Sequence, residues 1–514
     1  MIGEQGERGG RRGRRAATDT GVFPGKPSYR RLTNTLGRQK SFSDDQIAQI
    51  HETALRVLEK LGIKVLNPQA LDYFARAGAK VNRAEQMVFI DRGLVAEALS
   101  TAPHTFWLAG ASPERSVPIG GDNLAFLCVG GPPNVTDIDR GKRAGTLADM
   151  QAFLKLSQHF EVLHVLGSSV EPQDVPIETR HLKQLESQLL LSDKPLFAYA
   201  RGTAQTEDVF ELIRIGRGLS EHDFETRAWC FTVINTNSPR QLDYPMCQGI
   251  IDFARAGQAS VITPFTLAGA MAPVTIGGAL TLQHAEALSG VVLSQIVRPG
   301  APVVYGSFTS NVDMRSGSPA FGTPEFVRAA FGAGQLARHV GLPWRGSAAT
   351  ASNTPDAQSA YEFLNSAWGS VLAGVNMMIH AAGWLESGLA ASLEKFILDV
   401  EMLQVFAEVL QQSDLELDGV FEAIAEVQPG GHFFAAQHTM ERYQRAFYSP
   451  LVSDWRNFGQ WSEDGARTAT MRANLIWKKV LENFEPPFAH PARAEAITDF
   501  VARRTAEGGA PIAA

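Results

Sequence analysis

Between residues 124 and 380 the chain repeats one pattern: a short apolar run without polar alternation, then a stretch of helical length and helical periodicity. The runs fall at 124–129, 163–170, 196–200, 228–234, 260–264, 303–308, 342–346 and 376–380. A strand that is apolar on both faces has to be covered on both faces, the condition of a parallel sheet wrapped by crossover helices. The segments 147–158, 180–191, 206–216, 244–256, 278–298, 324–340 and 356–373 supply those helices. Eight such units predict an α/β protein built on a (β/α)8 TIM barrel spanning 121–400. The alternative with the same rhythm is an open doubly wound sheet. No G-x-G-x-x-G follows an early strand, which counts against a dinucleotide-binding version.

The flanks read differently. Ser43 with Gln46 forms an S-x-x-Q capping box, followed by Ile47, Ile50, Ala54, Val57 and Leu61 at helical spacing and a stop at Gly62. A second helix at 69–77 and a hairpin pairing 79–81 with 86–90 complete what reads as an N-terminal helical cap region, 41–120. Beyond the barrel, 401–514 reads as a C-terminal helical extension. Its expected helices are 389–410 (the barrel's last), 414–427, 437–446, 462–484 and 491–506, the last with Pro491 at its first position.

Size and charge narrow the function. A chain of 514 residues holds one large domain with additions, or two to three domains. Hydrophobic content of 44% with 20% charged residues is that of a soluble globular enzyme. Residues 1–40 carry ten Lys/Arg against three Asp/Glu; the whole chain is at −7, so the remainder carries −14. The start reads as a disordered basic tail, and the acidic body argues against nucleic acid as the main ligand. No apolar run reaches membrane-spanning length and no apolar segment follows the early arginines, so neither a membrane span nor a secretory signal is expected. Cys128, Cys230 and Cys247 form no even framework or CxxC pair, which points to a reduced cytoplasm.

In a barrel the loops after the strand ends build the site. That rule selects Asn237, Phe265, Ser307, Phe308, Asp313, Arg315, Arg345, Ser347, His380, Trp384 and Glu386. The set is rich in hydroxyls and aromatics and poor in catalytic dyads. No G-x-S-x-G, no H-E-x-x-H and no phosphate loop occurs, and no metal site is expected. Such a mouth is suited to holding a ligand. Each residue also has a plain structural reading: Asn237 as a loop tie, the aromatics as packing, His380 as a satisfied core histidine, Glu386 as a cap, Asp313 with Arg315 as a loop-ordering ion pair, and Arg345 turned to the helix layer. Cys128 reads as a small buried apolar residue.

Beyond these patterns, several stretches resemble the trimethylamine methyltransferase family, the corrinoid-dependent amine methyltransferases. They are TLADM (146–150), YGSFTSNVDMRSGSPAFGTPE (305–325), ARHVGLPWRGSA (337–348), PDAQSAYE (355–362), LAGVNMMIHAAGWLESGL (372–389) and PGGHFFAAQHT (429–439), together spanning most of 40–480. The resemblance implies a TIM barrel. Archaeal trimethylamine members carry pyrrolysine at a position that falls at or within one residue of Ala349 here, a small inert side chain. The chain is therefore similar to the non-pyrrolysine branch, whose members resemble glycine betaine methyltransferase.

The resemblance implies transfer of an N-methyl group from a betaine-like quaternary amine to the Co(I) corrinoid of a separate corrinoid-binding protein. A quaternary nitrogen leaves as a neutral tertiary amine and needs no activating acid, so positioning and desolvation suffice. Phe265, Phe308 and Trp384 are expected to box the ammonium, each contact worth roughly 0.5–2 kcal/mol. Glu386 or Asp313 is a candidate counter-charge, and Arg315, Arg345 or His380 a candidate holder of a betaine carboxylate. His432 and Phe433, after the barrel, either fold back over the mouth or form a structural turn. The alternatives are the same demethylation with another acceptor such as a folate, or a non-catalytic quaternary-amine binding or sensor protein. The acidic helical exterior is compatible with a homo-oligomer.

Overall fold

The computed structural model describes residues 31–411, 417–444, 446–487 and 490–512; most of the basic tail expected at 1–40 lies outside them. The predicted alternation is present as a mixed α/β fold with one curled parallel sheet. Its strands are β1 (Asn123–Phe126), β2 (Leu196–Phe197), β3 (Cys230–Thr236), β4 (Ala259–Ala268), β5 (Val303–Gly306), β6 (Trp344–Ser347) and β7 (Met377–Ile379). Hydrogen-bonded neighbours run β1-β7-β6-β5-β4-β3-β2, every pair parallel. Helices Leu147–His159, Ile177–Leu191, Thr203–Arg217, Tyr244–Arg255, Ile276–Val297, Pro324–His339 and Ala357–Leu372 follow the predicted segments within a few residues.

The run at 163–170 departs from a regular strand. It lies between β1 and β2, with His164 N–H donating to Phe126 O (2.9 Å), Ser169 N–H to Val129 O (3.1 Å) and, on its other side, Leu166 N–H to Pro195 O (3.1 Å). Two features break its pleat. Ser169 sits in the left-handed region at φ 56°, where a non-glycine residue is uncommon. The ammonium of Lys194 takes the carbonyl of Leu163 (2.5 Å), together with those of Ser157 (2.5 Å) and Phe160 (2.9 Å).

The N-terminal region carries strands as well as helices. The capping box of Ser43 and Gln46 starts the helix Asp44–Arg56, both of its bonds formed. The predicted hairpin forms as Lys80–Asn82 with Met87–Phe89 and joins Ile63–Val65 and Gln241–Leu242 in a small sheet. A second hairpin, Thr105–Leu108 with Val117–Gly120, has no counterpart in the sequence reading. Its Leu108, Val117 and Ile119 are buried against Leu127, Phe231, Val261 and Met377, closing the N-terminal end of the sheet with apolar side chains.

After β7 the chain forms the short strand Ala390–Ser392, parallel to Asn134–Thr136, before the helix Leu393–Leu410 begins at its Ser392 cap. That pairing delays the helix expected from residue 389. The expected helix 462–484 is split into Phe458–Glu463 and Ala469–Glu482. Gly465 and Ala466 are left-handed, and Thr468 caps the second piece. Residues 414–416, where a helix was expected to start, lie outside the described residues; Val420–Glu426 is helical. Among the described residues no helix is long and apolar enough to cross a membrane.

Candidate active site

Strand β6 decides the inner surface. Trp344 points outward, where its indole N–H donates to Ser307 Oγ (2.9 Å). Arg345 points inward, in register with Met377 of β7. It is 2% exposed, and its guanidinium donates to Ser307 O (2.9 Å) and lies 5.1 Å from the centre of the Phe308 ring. Its Nε has no partner, and among the described residues no carboxylate pairs with it. Burial pushes its pKa down to about 9, which leaves it cationic at neutral pH. Gly306 is its neighbour on β5, and a Cβ there would collide with Thr263. The missing side chain is what lets Thr263 and the Ile262 carbonyl of β4 approach β5 this closely.

Around Arg345 stands a cluster of rings. Phe308 follows β5 and pairs in register with Phe265 at the upper end of β4, ring centres 5.2 Å apart. Phe321 stacks on Phe308 at 5.1 Å and 8°. His380 ends β7 in the left-handed region (φ 61°). The next four residues return Trp384 over it at 3.8 Å, and both rings lie near Phe308, at 5.3 and 6.2 Å. His380 Nδ1 shares a hydrogen bond with Ser347 Oγ (2.8 Å). Burial and the Arg345 charge hold its pKa well below the usual imidazole value, so the ring is neutral. The Trp384 indole N–H has no partner.

The loops after β6 and β7 are laced together. Thr350 Oγ donates to Trp384 O (2.7 Å), Glu386 N–H to Ser352 O (2.9 Å) and Ser387 N–H to Thr350 O (3.2 Å). Ala348, Ala349 and Thr350 are fully buried beneath this lacing. Glu386 and Ser387 are both left-handed, strained positions of the kind that collect at functional sites. The Glu386 carboxylate is engaged by Lys142.

The fold thus brings Phe265, Phe308, Arg345, Ser347, His380 and Trp384 together, with Glu386 at the rim. It leaves the other candidates apart. Asp313 lies in an exposed turn and accepts from the amides of Arg315 (3.3 Å) and Ser316 (3.0 Å); the Ser316 hydroxyl and these amides hold its carboxyl below the usual range. Arg315 is exposed beside it. Asn237 Oδ1 accepts from Asp243 N–H (3.1 Å), which ties the loop after β3. Ser307 serves through its carbonyl, its hydroxyl being taken by Trp344. His432 and Phe433 are exposed, with His432 near Phe434 at 5.3 Å. Cys128 is fully buried and its thiol is pushed up by burial, the plain structural reading.

Sequence reasoning missed Phe321 and Tyr199. The only local signal for Phe321 is a lone aromatic among small residues, Pro319, Ala320 and Gly322, in the loop that leads to the next helix. Tyr199 is an aromatic just past the end of β2, its buried hydroxyl beside Ser168 and Glu171 and Arg201 4.0 Å over its ring. Among the described residues no group of three His, Cys, Asp or Glu is arranged to hold a metal.

Residues 7–509 match the family model described as trimethylamine methyltransferase. The chain belongs to the trimethylamine methyltransferase family. Its relatives include the glycine betaine methyltransferase of Desulfitobacterium hafniense, 36% identical over 92% of this chain and 99% of that protein. The trimethylamine methyltransferase MttB of another strain of that species is 29% identical, over 87% and 90%. The proline betaine:corrinoid methyltransferase of Eubacterium limosum is 28% identical, over 80% and 87%. In this family member, a methyltransferase, the strand ends carry, amid aromatic rings, a cation that no carboxylate among the described residues pairs with.

Proposed function

We propose that the protein transfers an N-methyl group from a short betaine to the Co(I) corrinoid of a separate corrinoid-binding protein. The observation that carries this reading is Arg345: a buried guanidinium with no carboxylate partner among the described residues, beside rings suited to a quaternary ammonium. A buried charge is costly unless paired, so the site lacks an anion that the substrate brings. Arg345 holds the betaine carboxylate, with neutral His380 or the Trp384 indole N–H as a second donor. Phe265 and Trp384 take the ammonium through their faces; Phe308, whose ring is covered by Phe321 and by the Arg345 guanidinium, backs them instead of contacting the cation as the sequence reading expected. Arg345 and Trp384 both lie near the Phe308 ring, 5.1 and 6.2 Å from its centre. A carboxylate holder and an ammonium wall gathered around one ring suit a compact betaine, so glycine or proline betaine is read as the substrate ahead of carnitine. The names of the betaine relatives point the same way.

The corrinoid supplies the nucleophile. The chain's own part is to fix the methyl group toward the open end and to exclude water. The C–N bond breaks toward nitrogen, so a neutral tertiary amine leaves and no residue has to deliver a proton. Small side chains at 348–350 agree with a substrate that needs no activating residue. We also infer that the sheet closes as a (β/α)8 barrel, supported by the backbone bonds that residues 163–170 make toward both β1 and β2. A cytoplasmic location and a homo-oligomer belong to the same reading.

The test is demethylation of glycine betaine, proline betaine, carnitine and trimethylamine with reduced cobalamin or a corrinoid protein as acceptor. Turnover is expected with the short betaines and to depend on the corrinoid. Turnover without any corrinoid, or a preference for trimethylamine, overturns the reading.

A further inference from the structure

On the helix Leu393–Leu410, behind the turn that carries Trp384, Asp399 is fully buried. One carboxylate oxygen pairs with Lys395, a turn earlier on the same helix and equally buried. The other accepts the Gly383 N–H at 2.8 Å. Gly383 is left-handed (φ 91°), and a Cβ there would press on Phe153 and Phe396. Around it the turn is fixed on every side: Ala381 N–H donates to Leu127 O (2.9 Å), Val129 N–H to Ala382 O (2.8 Å) and Ser392 N–H to Gly383 O (3.0 Å). This is the turn that carries Trp384 back over His380. The neighbouring helix repeats the device, since Glu362 accepts the amides of Ala351 and Ser352, each at 2.9 Å, in the loop laced to the β7 turn.

Packing does not explain the pair. Replacing a buried ion pair by apolar side chains is often neutral or stabilising, whereas removing one partner is strongly destabilising. Beyond its own helix the pair meets the Phe363 ring, 4.7 Å from the Lys395 ammonium, and, through Asp399, the Gly383 amide that precedes Trp384. We propose that Asp399, with Lys395 as its counter-ion, is a positioning residue whose bond to the Gly383 amide sets the His380–Trp384 stack. The stack's use as a wall of the betaine site rests on the function proposed above; its dependence on Asp399 does not. The charged groups facing Asp399 are Lys395 on its own helix and, through Lys395, Glu362 from the adjacent one. Burial pushes the Asp399 carboxyl up to about 6, so the bond to Gly383 weakens as pH falls through that value.

The test reads Trp384 itself, as the difference in emission between a protein and its Trp384→Phe version, in the full chain without ligand. A stacked imidazole perturbs the indole. Opening of the stack is expected to shift the Trp384 difference emission in Asp399→Ala, and in the parent as pH falls through about 6. Asp399→Asn, neutral at every pH, is expected to show the parent's low-pH emission throughout and no pH step. Should Asp399→Ala fold poorly, Asp399→Leu with Lys395→Met removes both charges and is expected to fold with the stack still open. Glycine betaine titration adds a second readout, with affinity expected to fall about tenfold in the alanine variant. An unchanged difference emission in both the alanine and the double variant overturns the proposal. A parent that shows the emission change but binds no betaine overturns the function reading and leaves this one standing.

Discussion

At the scale of single residues, Arg345 combines an unmet stability cost with a clear functional opportunity. A guanidinium buried without a counter-ion costs free energy in the unliganded protein, while a charge-assisted pair with a substrate carboxylate is worth about 1.5–3 kcal/mol. Arg345→Met is therefore expected to leave the unfolding temperature unchanged or raised, and to weaken betaine binding about 10- to 100-fold. Calorimetry and ligand titration measure the two effects separately. His380 leads to a prediction about pH. Because burial and Arg345 keep its ring neutral, the shape of the betaine-affinity profile around the ordinary histidine value of about 6.5 is expected to be the same in His380→Gln as in the parent; a step there that disappears in the variant would contradict the assignment. Arg345 and His380 were both among the strand-end candidates, but nothing local distinguished them from Asp313, which the fold uses to make a turn.

At the scale of elements, the weakest segment of the sheet is the one held by Lys194. Its ammonium gathers three carbonyls on the approach to residues 163–170, where ladder bonds are few. Lys194→Met leaves those acceptors buried and unpaired, and is expected to destabilise the protein by about 2–4 kcal/mol in chemical denaturation. Burial also pushes the Lys194 pKa down to about 7 from the ordinary 10.5. Between those values the unfolded chain binds the extra proton, so this group makes stability rise with pH from about 7 toward 10.5. Comparing the parent with Lys194→Met across that range should show this rise in the parent and its loss in the variant. Glu362 plays the matching role for the loop after β6. Glu362→Ala frees the amides of Ala351 and Ser352 and is expected to raise the betaine KM more than it lowers the unfolding temperature.

At the scale of the whole molecule, the C-terminal extension exposes apolar bulk that a lone chain has no reason to show to water. Phe421, Phe434, Phe447, Trp455 and Phe458 are each more than 70% exposed. The homo-oligomer compatible with the sequence would bury them: light scattering is expected to give a multiple of the chain mass, reduced in Phe434→Asp with Phe447→Asp. What the sequence determined by itself was local: seven of the eight expected parallel strands and the helices between them, the Ser43 cap, the Pro491 start, and the family resemblance with a small residue near 349. Each follows from periodicity, capping or motif within a few residues. What only the tertiary structure decided was long-range: the hairpin Thr105–Leu108 with Val117–Gly120 closing the sheet's lower end, Lys142 engaging Glu386, Trp384 stacked on His380, and the inward turn of Arg345. The reason lies in the pattern that identified the fold. Strands covered on both faces carry no polar alternation, so their sequence announces a buried sheet without saying which side chains point into it.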